Sequence, residues 1–181
     1  CLDPSSVYSA TKASADMLVN AYHKTYGVNA IITRCCNNYG PRQDKEKLIP
    51  KVITQALNDE RIPVYGTGSQ IREWIHVYDH CTAIKAAFDH GKVGHVYNIG
   101  SEVEVRNIEL VKRILKLLDK PGSLIKFVDD RLGHDFRYAI DSSKFQSLVE
   151  GQKWSLRYGK QQFNEGLEQT ISWYKNLSKK A

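Results

Sequence analysis

Residues 8–33 read YSATKASADMLVNAYHKTYGVNAIIT, and this stretch decides the fold. From Tyr8 to Tyr26 the residues Ala13, Met17, Leu18, Val19 and Tyr22 recur at helical spacing, so the segment reads as an amphipathic helix. Gly27 supplies its stop, because glycine adopts the left-handed backbone that closes a last helical turn. Ala30 to Thr33 follows as a short apolar run and reads as a buried strand. A helix that feeds a buried strand through so short a connection belongs to a layered α/β architecture.

The same alternation continues downstream. Helical patterns recur over Leu48 to Asn58, Asp79 to Phe88, Asn107 to Leu118 and Phe163 to Asn176. Short apolar strand candidates lie between them, around Val64, Ile75, Val96, Phe127 and Ala139. Asn38-Tyr39-Gly40-Pro41, Gly66-Thr67-Gly68 and Pro121-Gly122 mark turns, and no connection is long enough to be a flexible linker. Upstream, Cys1-Leu2-Asp3-Pro4 enters the first helix almost at once, with no initiator methionine and no preceding strand. The sequence is therefore expected to be the C-terminal part of a longer chain.

Composition narrows the class. With 181 residues, 41% hydrophobic and 25% charged, the chain falls in the range of globular domains that bury a core. No apolar run approaches the roughly 20 residues that span a bilayer, so a cytoplasmic protein without membrane contact is expected. Cys1, Cys35, Cys36 and Cys81 fit neither a metal clip nor a disulfide framework and read as reduced thiols. The histidines are scattered, with no zinc-ligand spacing. The formal charge of +6 raises the question of nucleic acid, but the basic residues are interleaved with acids apart from Lys179 and Lys180. No nucleic-acid partner is expected; a small anionic diphosphate uses the same charge better.

The chemistry starts where the first helix starts. Tyr8 and Lys12 stand four residues apart in Tyr8-Ser9-Ala10-Thr11-Lys12 and so share one helical face. A nearby ammonium favours phenolate over phenol, which suits Tyr8 to act as a base toward a sugar hydroxyl. The same pair also occurs by chance on solvated helices. Here small residues surround it and a buried strand follows at short range, and at this point the sequence resembles the extended short-chain dehydrogenase/reductase family.

Further segments narrow the resemblance. Arg34 to Pro41 (RCCNNYGP), Glu46 to Pro50 (EKLIP), Ile62 to Gly66 (IPVYG), Gln70 to Asp79 (QIREWIHVYD) and Tyr97 to Gly100 (YNIG) follow in family order. Asp130 to Asp141 (DRLGHDFRYAID) discriminates most, and it is more similar to the dTDP-glucose 4,6-dehydratases than to sugar epimerases or decarboxylases. The resemblance covers the chain from about Pro4 to Tyr174.

That resemblance implies a set of roles. Tyr8 would take the proton of the hexose 4-hydroxyl and Lys12 would hold the nicotinamide ribose of NAD. Asn37 would hydrogen-bond the substrate and Asn38 the cofactor, both on a loop that follows a strand. Lys47 and Leu48 would line the nucleotide site, Pro63 to Tyr65 would face the thymine, and Arg72 and Arg131 would clamp the diphosphate. His134 would sit beside Arg131. Asn107 heads a helix, and its spacing alone favours a cap, whereas the resemblance favours a contact to the nucleotide.

The implied architecture is the C-terminal part of a Rossmann-type parallel sheet plus a smaller α/β substrate-binding domain, interleaved over residues 1–181. The implied reaction converts dTDP-glucose to dTDP-4-dehydro-6-deoxyglucose, with NAD regenerated in each cycle and a homodimer in the complete enzyme. The Gly-rich turn of dinucleotide binding and the family's Thr-Asp-Glu segment do not occur in these residues. Val7 and Leu132 stand where relatives usually carry proline, and Leu148 to Lys160 departs from the family's shorter Leu-Gly-Trp pattern.

Overall fold

The computed structural model describes residues 4, 6–130, 133 and 135–178. The opening helix, α1, spans Val7–Tyr26. Ser6 caps its start by accepting from the Ser9 amide at 3.1 Å, and Gly27 closes its end at φ 66°. The strand expected after it lies two residues further on, as β1 (Ile32–Cys35), and only Ile32 in it is fully buried. β2 (Asn37–Tyr39) follows, then α2 (Leu48–Leu57), β3 (Ile62–Tyr65), β4 (Ile71–His76) and α3 (Val77–His90). The chain continues through β5 (Val96–Ile99), β6 (Glu104–Arg106), α4 (Asn107–Leu117) and a 3-10 turn at Gly122–Leu124. β7 (Ile125–Val128), β8 (Arg137–Tyr138), α5 (Ser143–Val149) and α6 (Phe163–Ser178) complete it.

The strands pair mainly in parallel. β1 pairs with β5, β3 with β7, and β4 with both β2 and β8, all parallel, while β6 joins β4 antiparallel. Helices connect the parallel partners, as such pairing demands. The result is an α/β fold with parallel sheets.

Two apolar cores form, and β4 separates them. One gathers α2, α4 and α6 around Ile53, Val64, Trp74, Val105, Ile114 and Leu167. The other gathers α3 and α5 around Cys36, Ile75, Ala87, Tyr97, Ile99 and Phe145. Successive strand residues point to opposite faces, so Trp74 enters the first core and Ile75 the second. This two-sided burial explains why Glu73, Trp74, Ile75 and His76 are all buried in succession.

Two buried carboxylates tie the layers together. Glu73, only 1% exposed, accepts the amides of Ser101 at 2.7 Å, Glu102 at 2.9 Å and Ile140 at 2.9 Å. Asp79, in the first turn of α3, accepts the amides of Arg157 and Tyr158, both at 2.9 Å. Each carboxylate thereby satisfies backbone donors that no ladder reaches.

α1 departs from expectation. Its apolar residues suggested a packed face, yet none of its residues is buried, and Met17, Leu18, Tyr22 and Tyr26 are 66%, 61%, 56% and 72% exposed. Among the described residues no helix is long and apolar enough to cross a membrane.

Candidate active site

Asn37 and Asn38 lie within a strand, not on the expected loop. β2 pairs Asn37 with Trp74 and Asn38 with Ile75, so the pleat sends the two amides to opposite faces. Asn37 shares the face of the α2, α4 and α6 layer, and Asn38 that of the α3 and α5 layer. One strand thus presents one amide to each layer.

Asn38 is held among thiols. Its Nδ2 donates to Cys35 Sγ at 3.2 Å and to the Cys36 carbonyl at 3.4 Å, while its Oδ1 is buried with no partner. Burial pushes the Cys35 thiol up, and the Asn38 bond and the positive charge of Lys12 pull it partly back. Cys36 is pushed up further, by its deeper burial and by Glu73.

Tyr8 and Lys12 occupy one exposed face of α1, with Tyr8 74% exposed. The same face continues to Asp16, which accepts from Arg34 Nε at 2.6 Å on β1. On β8, burial raises the Tyr138 phenol, and Cys35, Cys36, Tyr8 and Asp135 add to the rise. Tyr138 was not singled out from sequence, although it sits inside the most discriminating segment. Its signal would have been strand alternation with Arg137, whose guanidinium binds both oxygens of Glu104 at 2.7 Å.

A second group forms along β3, β4 and the start of α4. Pro63 and Tyr65 lie on β3, and Tyr65 is 37% exposed. Asn107 does not cap α4: Arg106 takes the cap position, and Asn107 is the first helical residue. Its amide donates to the Gln70 carbonyl at 2.9 Å and its Oδ1 is buried without a partner. Gln70 in turn donates to Asp130 at 2.7 Å. Gly68 makes this junction possible, with φ 70° and a virtual Cβ that would lie 2.7 Å from Val64 and 2.8 Å from Ile108.

Arg72 is oriented by backbone oxygens, donating to the carbonyls of Ile71 and Asp135, both at 2.7 Å. Its neighbour across the β4–β8 pair is Tyr138, which links the two groups. Lys47 precedes α2 as an exposed cap residue, and Leu48 opens that helix against the first core. Arg131 and His134 lie outside the described residues.

A cavity of about 590 Å³ opens between the loop after β2 and the start of α3, with Arg42, Gln43, His76, Tyr78 and Gln169 in its wall. Of the expected site residues only Asn38 borders it. Tyr8, Lys12 and Tyr138 do not line it.

Parallel strands backed by helices define a chain of the Rossmann-like α/β class. The chain belongs to the NAD dependent epimerase/dehydratase family, whose model matches residues 1–100. It is 49% identical over 173 residues to the low-salt glycan biosynthesis protein Agl12 of Haloferax volcanii, covering 96% of this chain and 54% of that protein. It is 48% identical over 180 residues to a dTDP-glucose 4,6-dehydratase of Xanthomonas campestris, covering 94% of this chain and 50% of that protein. Among solved structures, dTDP-glucose 4,6-dehydratase of Bacillus anthracis in complex with NAD superposes with a TM-score of 0.89 at 46% identity, covering 99% of this chain and 55% of that one. The chain spans about half the length of the relatives it matches.

Proposed function

We propose that the complete protein is an NAD-dependent hydro-lyase that converts dTDP-glucose to dTDP-4-dehydro-6-deoxyglucose, and that this chain supplies its Tyr/Lys pair and nucleotide-sugar site. The observation that carries the reading is the pairing of Tyr8 and Lys12 on one exposed face of α1, supported by Asn38, whose buried Oδ1 has no partner. Relatives at 48% and 46% identity named as dTDP-glucose 4,6-dehydratases support the substrate.

The residues present fit NAD. An ammonium on Lys12 and an unpartnered amide oxygen on Asn38 offer a donor and an acceptor suited to a ribose and a carboxamide. When bound, NAD would take up the hydride that leaves C4 of the sugar and, after water is lost across C5 and C6, would give it back at C6. Tyr8 removes the proton of the C4 hydroxyl as that carbon is oxidised to a ketone, and Lys12 stabilises the phenolate. Arg72 holds the diphosphate with Arg131, while Lys47, Leu48, Pro63, Tyr65 and Asn107 hold the nucleoside, His134 lies at the ligand edge, and Asn37 contacts the sugar. The apolar exposed stripe of α1 supports a homodimer in the complete protein. A cytoplasmic location follows from a nucleotide-sugar substrate.

The test is Tyr8→Phe in the complete gene product. The first oxidation slows about 100- to 10,000-fold, as for loss of a general base, while NAD and dTDP-glucose bind nearly normally. Lys12→Met slows the same step and also weakens NAD. Transient reduced-nicotinamide absorbance in a single turnover isolates the step, and a normal amplitude and rate in Tyr8→Phe removes Tyr8 as the base.

A further inference from the structure

α1 carries the proposed base and buries no residue fully, while Ser9, Ala13, Asp16, Asn20 and His23 are half-buried along one side. Among the described residues, its other side-chain hydrogen bonds stay within the helix and its Ser6 cap or reach Val28 just beyond it. The exception is Asp16, which accepts from Arg34 Nε at 2.6 Å, with side chains 21% and 34% exposed. Residues four apart on a helix are turned by about 40° and raised by about 6 Å, so Tyr8, Lys12 and Asp16 form one stripe. Arg34 lies on β1 immediately before Cys35, the thiol that feels the charge of Lys12 and the Asn38 amide. The ion pair therefore grips the helix on the very face that must meet the site.

We propose that Asp16 and Arg34 are positioning residues, an ion pair that sets the rotation of α1 so that Tyr8 and Lys12 face the Cys35–Asn38 segment. A tyrosine hydroxyl stands roughly 8 Å from its helix axis once the side chain is added to the Cα radius, so a turn of about 20° moves it by about 3 Å. That exceeds the tolerance of a proton-transfer hydrogen bond. A half-buried ion pair contributes modestly to global stability, so a rate loss with a near-unchanged melting temperature separates the role from a folding role.

This inference rests on the proposed function, and the experiment separates their failures. In the complete gene product, Asp16→Asn and Arg34→Gln slow the single-turnover oxidation about ten- to a hundredfold, as an ångström-scale misplacement does. The Michaelis constant and the melting temperature stay near wild type. Arg34→Lys and the exchange Asp16→Arg with Arg34→Asp recover part of the rate. A second readout needs neither cofactor nor substrate: alkylation of Cys35, resolved by mass spectrometry, slows about threefold in Asp16→Asn as Lys12 drifts from the thiolate it stabilises. Simple loosening would expose Cys35 and speed the reaction instead. Variants that oxidise at the wild-type rate, or Cys35 alkylated faster, overturn the inference alone. A wild-type protein with no transient absorbance overturns the proposed function and this inference with it.

Discussion

Replacing Glu73 with Gln keeps the side-chain shape and removes the charge from a carboxylate that is 1% exposed and accepts the amides of Ser101, Glu102 and Ile140. The cheaper amide orientation puts its oxygen at the Oε1 position, where Ser101 and Glu102 keep their bonds. Each of those bonds weakens by about 1 kcal/mol when the charge is lost. The Ile140 amide then faces an NH₂ donor and goes unpaired, at a further cost of roughly 1–3 kcal/mol. A neutral amide is easier to bury than a carboxylate, which offsets part of this. The expected loss is about 3 kcal/mol, a large share of a typical domain's stability. Gly100→Ala acts in the same direction, because its Cβ would lie 2.6 Å from Glu73 Oε1.

Denaturant titration reads the loss as a lower midpoint at constant slope. Hydrogen exchange adds the local test: the Ile140 amide, which fastens the segment after β8, exchanges faster in Glu73→Gln than in wild type. A variant within about 1 kcal/mol of wild type, with Ile140 protected as before, refutes the reasoning, because the carboxylate would then not be what holds these amides.

Two further outcomes follow from the structure. Burial pushes His76 below the ordinary imidazole range against the opposing charge of Asp79, so the unfolded chain takes up a proton near pH 6.5 that the folded chain resists. Stability from this group is complete above about pH 6.5 and falls as pH drops toward the lower folded value. His76→Asn preserves the cap on the Tyr78 amide and flattens the melting-temperature profile below pH 6.5; an unchanged slope would assign the acid sensitivity elsewhere. If the proposed function holds, Arg72→Ala in the complete protein weakens dTDP-glucose binding by at least about tenfold, with NAD affinity little changed, and calorimetry showing an unaltered dissociation constant would remove Arg72 from the proposed diphosphate site.

Legibility in the sequence followed the range of the interaction. α1 was readable because its period and its Gly27 stop are local, and the structure closes it with Gly27 in the left-handed region. β2 was not, because Asn-Asn-Tyr before Gly-Pro has turn chemistry, and asparagine is poor in strands. Only pairing with Trp74, Ile75 and His76 makes it one. β6 offers a single apolar residue between charges and exists through its register against Ile71 to Glu73. Asn107 read as a cap because spacing cannot tell the cap position from the first helical residue, one place further on.

The same distinction divides the site. Tyr8 and Lys12 announce themselves because four residues of helix bring them to one face, whereas the groups that orient the site act across long stretches of chain. Arg72 is aimed by the Asp135 carbonyl, and Glu73 gathers amides from Ser101 to Ile140. Both belong to β4, the strand buried on both faces. A buried polar group on this strand, such as the Glu73 carboxylate, must find partners in whatever segment the fold lays beside it. Chemistry-bearing residues are constrained by reactivity and recur at short spacings that a sequence displays. Their supports are constrained only by the need to satisfy a buried donor or acceptor, and many residue types at many positions meet that need. This is why Tyr138 and the Asp16–Arg34 pair became visible only once strand register and helix rotation were known.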